Sequence, residues 1–373
     1  MPLRDHFPIF EHQVFLNSCS KGALSHEVEQ AYRDYLADWE TLGSPWELWV
    51  EKLEGTRSAF AGLIGARPAE VAVSSSVSAL VSALASALDF RERPRVVISD
   101  FEFPTVGQVW HAQERRGAEV VHVAARDGLL PLEHVEALVD DRTAIVSLTH
   151  ISYRHGARQD IEEVVEIAHR HGALMLLDAY QSLGTIPIDV STLGVDFLVG
   201  GALKYLLGSS GLAFLYVRAG LERLTPTTTG WFAQEDIFAM EGYRHRPALT
   251  ARRFEAGTPS VPNLYAGRAG LDLITSLGTE SIEAHIRELT GALKAAIAER
   301  GFALATPSAP KQHGAMIAVK ALNADELVAR LGEDGIVVSS RGDNLRISPH
   351  FYNVSKDIDF LVDALSRHRE LLR

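Results

Sequence analysis

The chain has 373 residues, of which 46% are apolar and 23% charged, a composition typical of a folded protein rather than a disordered or fibrous one. A formal charge of −12 and the lack of a Lys/Arg cluster argue against nucleic acid or an anionic membrane surface as a partner, and favour a small metabolite. We expect a cytoplasmic protein without membrane spans, disulfides or a metal site, because there is no long apolar run, no signal-peptide pattern and a single cysteine.

Strand-like and helix-like segments alternate between about residues 50 and 220. The first unit is a strand at 70–73 followed by a helix over 76–88, whose apolar face comprises Val77, Leu80, Val81, Leu84 and Leu88. Further apolar strands are predicted at 95–99, 118–123, 143–148, 173–178, 196–199 and 212–217. Continuous apolar strands separated by helices indicate a mainly parallel sheet covered on both faces. Such sheets bind ligands at the carboxyl ends of their strands.

The remainder of the chain predicts a smaller unit. A long helical region runs to residue 300, followed by strands at 316–319, 336–338 and 345–348 and by helices over 324–331 and from 355. We therefore predict an N-terminal segment at 1–30, a large α/β domain at 31–270 and a small α+β domain at 271–373.

Two charged residues lie at predicted strand ends. Asp178 ends a buried strand, and Lys204 lies 26 positions later in a glycine-rich loop between two apolar strands. An aspartate and a lysine in these places can meet around one ligand. Pyridoxal 5′-phosphate (PLP) chemistry requires such a pair, because the lysine forms the Schiff base and the aspartate keeps the ring nitrogen protonated.

Two further patches precede this pair. The turn containing Ser76, Val77 and Ser78 joins a strand to a helix, where free N–H groups can hold a phosphate, although Ser76 can equally be an ordinary helix cap. Phe103 follows the next strand and can stack on a flat cofactor, or it can be a core aromatic beside a turn.

Two more patches are polar where the chain is otherwise apolar. Residues 149–156, including Tyr153, follow a buried strand and can line a site or form a solvated loop. Arg346 lies in the middle of a predicted strand, where an arginine requires a carboxylate partner. That partner is either a neighbour in a surface ion pair or a substrate.

The order of these patches resembles that of the class V aminotransferases, a family of PLP-dependent fold-type I enzymes, over nearly the whole chain. The resemblance rests on Asp178-Ala-Tyr-Gln181 with Lys204-Tyr205, and on Arg346-Ile-Ser followed by Tyr352-Asn353. The branches of cysteine desulfurases, selenocysteine lyases and isopenicillin N epimerases look most similar, with features of kynureninases. The fold implied is a seven-stranded, mainly parallel sheet with a smaller C-terminal domain, and the N-terminal segment would border the active site.

The resemblance also implies roles for individual residues. Lys204 and Asp178 would be catalytic, Gln181 would lie near the phenolic oxygen of PLP, and Phe103 would stack on its ring. The turn at 76–78 would bind the phosphate, with Thr258 reaching the phosphate of a neighbouring subunit. Arg346 would bind the substrate carboxylate, with Tyr153 and Trp231 beside the substrate, in a homodimer with shared active sites.

Two departures from the desulfurase pattern bear on the reaction. Gly201 and Leu203 stand where a serine and a histidine are common, and the segment at 338–346 lacks the cysteine nucleophile, although Cys19 lies elsewhere in the chain. We predict an enzyme acting on an amino acid as a carbon–sulfur lyase or an aminotransferase. An amino-acid epimerase is the alternative within the family, and a non-catalytic relative is the alternative outside it.

Overall fold

A computed structural model describes residues 3–373. Its strands are β1 (Val14–Phe15), β2 (Val71–Ser74), β3 (Arg95–Ser99), β4 (Glu119–Val123), β5 (Thr143–Thr149), β6 (Leu174–Asp178), β7 (Phe197–Gly201), β8 (Ala213–Val217), β9 (Ile317–Lys320), β10 (Ile336–Val337), β11 (Ser339–Arg341) and β12 (Asn344–Ile347). Its α-helices are α1 (His26–Leu42), α2 (Trp46–Leu63), α3 (Val77–Ala87), α4 (Pro104–Ala112), α5 (Leu132–Glu136), α6 (Glu162–Arg170), α7 (Val190–Leu193), α8 (Val261–Leu277), α9 (Thr279–Glu299), α10 (Ala324–Glu333) and α11 (Ser355–Arg367).

The large sheet has seven strands in the order β2-β8-β7-β6-β5-β3-β4. The strands from β7 to β4 pair in parallel, whereas β8 runs antiparallel to both β7 and β2. This arrangement confirms the predicted fold class. Each of the seven predicted strands is present with its ends shifted by no more than about two residues, because long apolar runs leave little choice of position.

The sheet is buried on both faces. Leu177 and Leu198 belong to one apolar cluster, and the adjacent residues Leu176 and Val199 belong to another on the opposite face. Successive side chains of a strand point to opposite sides, so each strand contributes to two cores at once. The charged residue of β6, Asp178, accordingly lies at the end of its strand, where the site lies.

The C-terminal part of the chain forms a smaller three-stranded antiparallel sheet, in the order β11-β12-β9. Helices α9 and α11 pack together, and α8 packs on α1 and α2. The division at residues 30 and 270 stays a prediction. Within residues 3–373, no helix is both long enough and apolar enough to cross a membrane.

The N-terminal segment is attached to the smaller sheet region rather than to the large sheet. Strand β1 pairs in parallel with β10, with Phe15 opposite Val337. The backbone N–H of Cys19 donates a hydrogen bond to Ser348 Oγ at 2.9 Å. The Gly22 N–H donates to the carbonyl of Leu203 at 3.0 Å, which brings the following part of the segment beside the carboxyl end of the large sheet.

Candidate active site

A cavity of about 280 Å³ opens at the carboxyl ends of the central strands. Thr149 and Asp178 are the last residues of β5 and β6, and they lie opposite each other in the sheet register. The cavity is lined by Ser75, Ser76, Val77, Ser78, Phe103, Thr105, Thr149, Tyr153, Asp178, Tyr180, Gln181, Leu203, Lys204, Ser210, Gly211 and Leu212. Most of the predicted site residues therefore line one cavity.

Asp178 and Lys204 line the same cavity. The carboxyl of Asp178 is buried, and its Oδ1 accepts a hydrogen bond from the Tyr180 N–H at 2.9 Å. Burial raises the pKa of Asp178, and the nearby charge of Lys204 opposes that rise. Burial lowers the pKa of Lys204, so its amine releases a proton more readily than an exposed lysine. A neutral amine is the form that attacks a carbonyl carbon.

Two aromatic rings flank the Lys204 amine. Its Nζ lies 4.5 Å from the centre of the Tyr180 ring and 5.5 Å from that of Phe103. Phe103 is 40% exposed and meets Tyr153 edge-on, with ring centres 5.1 Å apart. The alternative of a core aromatic is therefore wrong for Phe103, since its ring is free to meet a ligand.

The serine turn serves as a helix cap and also lines the cavity. Ser76 Oγ accepts a hydrogen bond from the Ala79 N–H at 3.2 Å and thereby caps α3. Ser78 Oγ lies 3.1 Å from Thr105 Oγ1 across the cavity mouth. The capping interpretation is correct for Ser76, and it does not exclude an anion there, because the first N–H groups of α3 face the same space.

The loop after β5 is largely buried, although Arg154 is exposed. Tyr153 is 7% exposed, and its carbonyl accepts a hydrogen bond from Arg346 Nη1 at 2.9 Å. The other terminal nitrogen of Arg346 donates to Ser20 Oγ and Ser339 Oγ. Among residues 3–373 no carboxylate pairs with this guanidinium, and its Nε has no partner. The surface ion-pair interpretation of Arg346 is therefore wrong.

Gln181 connects the cavity to the N-terminal segment. Its Nε2 donates to the carbonyl of Cys19 at 3.1 Å, while its Oε1 is buried and lacks a partner within the described residues. Cys19 itself is buried, and its Sγ lies 3.9 Å from both Ser20 Oγ and Ser339 Oγ. The thiol thus borders the hydroxyls that hold Arg346, although it does not line the cavity.

Three predicted residues do not line this cavity: Arg346, which is held beside it through Tyr153, and Trp231 and Thr258. Trp231 packs its ring edge-on against Trp46, with centres 5.3 Å apart, and Thr258 is exposed. Their predicted roles depend on a second subunit and stay predictions.

A larger cavity, of about 640 Å³, lies away from the strand ends that carry the lysine and the aspartate. His150 is the one residue of the polar loop that lines it, and its lining carries charges of both signs, from Arg158, Arg287, Asp160 and Glu162. Because these charges oppose each other and none of the predicted site residues lines the space, we place the candidate active site in the smaller cavity.

Residues 14–361 match the model of the protein family described as Aminotransferase class-V. The chain belongs to this family. An uncharacterized aminotransferase of Bacillus subtilis, YcbU, is 38% identical, with 97% of this chain and 96% of the relative aligned. A probable cysteine desulfurase of Methanothermobacter thermautotrophicus is 28% identical, over 97% and 96% of the two chains. A solved structure of a C-DES mutant, with glycine covalently linked to the PLP cofactor, has a TM-score of 0.90 at 20% identity and covers 98% and 99% of the two chains.

Membership of this family makes the protein an enzyme and PLP its cofactor. The residues present fit that group. Asp178 offers a buried carboxylate, Gln181 an unpaired buried acceptor, and the start of α3 a cluster of N–H and hydroxyl groups for a phosphate. Phe103 presents an exposed ring face, and Lys204 an amine whose pKa is lowered by burial.

Tyr180 is the functional candidate that sequence reasoning missed. Its ring lies beside the Lys204 amine, and burial, followed by the Asp178 charge, raises the pKa of its hydroxyl to about 12. A Cβ on Gly201 would lie 2.5 Å from the Tyr180 hydroxyl oxygen. Gly201 therefore leaves room for the Tyr180 hydroxyl, which a larger residue would displace, and the place of Tyr180 between Asp178 and Gln181 was the signal available in the sequence.

Proposed function

We propose that this class V aminotransferase acts on an L-amino acid, as a carbon–sulfur lyase working by β-elimination or as an aminotransferase. The observation that carries the proposal is Arg346, which is buried, lies near the Lys204 amine and binds serine hydroxyls instead of a carboxylate. Replacing its bonds to serine hydroxyls by a bidentate pair with a substrate carboxylate would be favourable. An α-carboxylate held there would bring the α-carbon of an amino acid toward Lys204.

PLP withdraws electrons from the α-carbon of an amino acid bound to it, which weakens the bonds at that carbon. Lys204 is the proposed base for the α-proton, since burial lowers the pKa of its amine. Tyr180 stays protonated near neutral pH, because the pKa of its hydroxyl is about 12, and so it acts as a hydrogen-bond donor rather than a base. Asp178 supplies the carboxylate that stabilises positive charge on the ligand.

The reaction type depends on where the proton from the α-carbon goes. Return of the proton to a carbon of the cofactor instead of the α-carbon leads to transamination. Its return to the opposite face of the α-carbon leads to epimerisation. Loss of a substituent from the β-carbon makes the enzyme a lyase. The similarity to a probable cysteine desulfurase favours the lyase. The desulfurase nucleophile has no counterpart here, because Ser339 and Ser340 occupy the strand before Arg346. We therefore propose elimination without sulfur transfer to a loop cysteine, and keep an epimerase as the alternative.

A panel of amino acids added singly to the PLP-loaded enzyme separates these reactions. A lasting change of the visible cofactor band with release of a keto acid identifies an aminotransferase. A transient change with release of sulfide and pyruvate identifies a lyase, and inversion of the amino acid without fragments identifies an epimerase. Purified protein that shows no visible band with PLP would contradict the proposal and favour a non-catalytic relative.

We also propose a cytoplasmic homodimer with shared active sites. The exposure of Thr258 and the position of Trp231 outside the cavity support a role across subunits. Sedimentation equilibrium tests the mass of the particle. Thr258→Ala should weaken PLP binding if the hydroxyl reaches the neighbouring phosphate, and unchanged binding would remove Thr258 from the site.

A further inference from the structure

The face of the β11–β12 hairpin beside Arg346 carries a second arginine. Ser339 pairs with Arg346 in the strand register, and Arg341 pairs with Asn344 at the end of the hairpin. Ser339 Oγ accepts a hydrogen bond from Arg346 Nη2 at 2.9 Å, so the Ser339 side chain faces the site. Ser340 points the other way and donates to Asp325 of α10. Side chains two positions apart share a face, so Arg341 lies on the site face, about 7 Å along the strand from Ser339.

Arg341 has no carboxylate partner among residues 3–373. Its cross-strand neighbour is the neutral Asn344, and the nearby Asp343 pairs with Arg373 at 2.9 Å. Arg341 nevertheless lies close enough to the Lys204 amine for its charge to lower the pKa of that lysine, as does the charge of Arg346. The positive potential of the site is therefore uncompensated on this side.

A third arginine approaches from the loop after β5. Arg154 Nε donates to the Tyr153 hydroxyl at 3.1 Å, and Tyr153 lines the cavity. The carbonyl of Arg154 accepts a hydrogen bond from Asn344 Nδ2 at 3.5 Å, which ties this loop to the hairpin. Within the described chain Arg154 also forms no ion pair. Arg346 is buried, whereas Arg154 and Arg341 are exposed, and all three lie beside the cavity rather than in its lining, without an ion pair among residues 3–373.

We propose that Arg341, assisted by Arg154, binds a second anionic group of the substrate, so that the enzyme acts on amino acids with an acidic side chain. This inference rests on the proposed function, because Arg346 is assigned there to the α-carboxylate. Arginine suits the task because its planar guanidinium binds a carboxylate through two parallel hydrogen bonds. The separation of Arg341 from Ser339 along the strand would let two anionic groups bind beside the cavity rather than two arginines on one carboxylate.

Inert carboxylates test the second subsite without turnover. Isothermal titration calorimetry of the PLP-loaded enzyme compares succinate with butyrate, and glutarate with pentanoate, so that each pair differs by one carboxylate at equal carbon number. We expect the dicarboxylates to bind roughly tenfold more tightly, the effect of one added charge-assisted interaction. Arg341→Gln should remove most of that preference and leave the monocarboxylates unaffected. Arg115→Gln, at an exposed arginine after α4, controls for the loss of one positive charge.

Equal affinities within each pair, or binding too weak to measure for all four ligands, would overturn the proposal. A preference that persists in both Arg341→Gln and Arg154→Gln would overturn it as well. The comparison on the wild-type enzyme needs no variant, so a variant that fails to fold does not prevent the test. The visible cofactor band, read from the same samples, tests the proposed PLP chemistry separately from the second subsite.

Discussion

Glu102 provides the sharpest test of the electrostatics beneath the site. This glutamate lies directly before Phe103 and is 7% exposed. Its Oε1 accepts hydrogen bonds from Ser99 Oγ at 2.5 Å and from the Thr149 N–H at 2.9 Å, whereas its Oε2 has no partner within the described residues. Burial, followed by the charge of Asp178, raises the pKa of Glu102 to about 8. Glu102 therefore keeps its proton at neutral pH, whereas burial raises the pKa of Asp178 and the hydrogen bond from the Tyr180 N–H and the charge of Lys204 oppose that rise.

The raised pKa makes stability fall as pH rises. The folded protein keeps the Glu102 proton up to about pH 8, whereas the unfolded chain releases it near the ordinary value of 4.5. Unfolding therefore releases a proton between these limits, and the wild type becomes less stable by up to about 1.4 kcal/mol per pH unit. Glu102→Gln keeps the shape and the accepting oxygen but cannot ionise. Its stability relative to wild type should rise by about 3 kcal/mol between about pH 5.5 and about pH 7.5.

Urea unfolding of the cofactor-free protein, followed by tryptophan fluorescence at three pH values, measures this difference. The informative quantity is the change with pH of the difference in unfolding free energy between Glu102→Gln and wild type. Any packing cost of the amide adds the same amount to this difference at each pH. Glu299→Gln, at an exposed carboxylate at the end of α9, serves as the matched control and should give a flat line. A Glu102→Gln difference that is equally flat would refute a protonated Glu102.

Three other predictions concern residues of the cavity. Lys204→Ala should abolish covalent attachment of PLP, so that borohydride reduction leaves no mass adduct; an adduct at another lysine would contradict the assignment. Asp178→Ala should lower kcat roughly a hundredfold or more, with a smaller change in PLP affinity, and equal losses in both would argue for a purely structural role. Gly201→Ala places a Cβ 2.5 Å from the Tyr180 hydroxyl and should lower the melting temperature, by an amount corresponding to about 1–3 kcal/mol. Adding Tyr180→Ala should relieve this clash, and no relief would show that the strain lies elsewhere.

The elements that form the sheet could be predicted because their signal is local. A buried strand such as β6 is a continuous apolar run, and a carboxylate at its end stands out against that run. Asp178 and Lys204 were found in this way. The serine turn was found for the same reason, since a strand followed by a helical period fixes where the turn must be.

Contacts between distant parts of the chain could not be predicted from such signals. The hydroxyls that hold Arg346 come from Ser20 and Ser339, which lie about 320 residues apart in sequence. The pairing of β1 with β10 brings them together, and two-residue strands leave almost no periodic pattern. The packing of Trp231 against Trp46 could not be predicted for the same reason, because Trp46 begins helix α2, far from Trp231 in the sequence.

The charged residues around the cavity indicate the kind of ligand more specifically than the volume of the cavity does. A cavity of about 280 Å³ can hold many flat molecules. Arg346 is buried against hydroxyls instead of a carboxylate, and the Lys204 amine lies within reach of two arginine charges that lower its pKa. A buried guanidinium without a carboxylate, such as that of Arg346, lowers stability, and an anion bound to it would offset that cost. The buried Arg346 is the feature that supports the proposed anionic substrate, and the exposed Arg341 and Arg154 are the groups that would bind the proposed second anionic group.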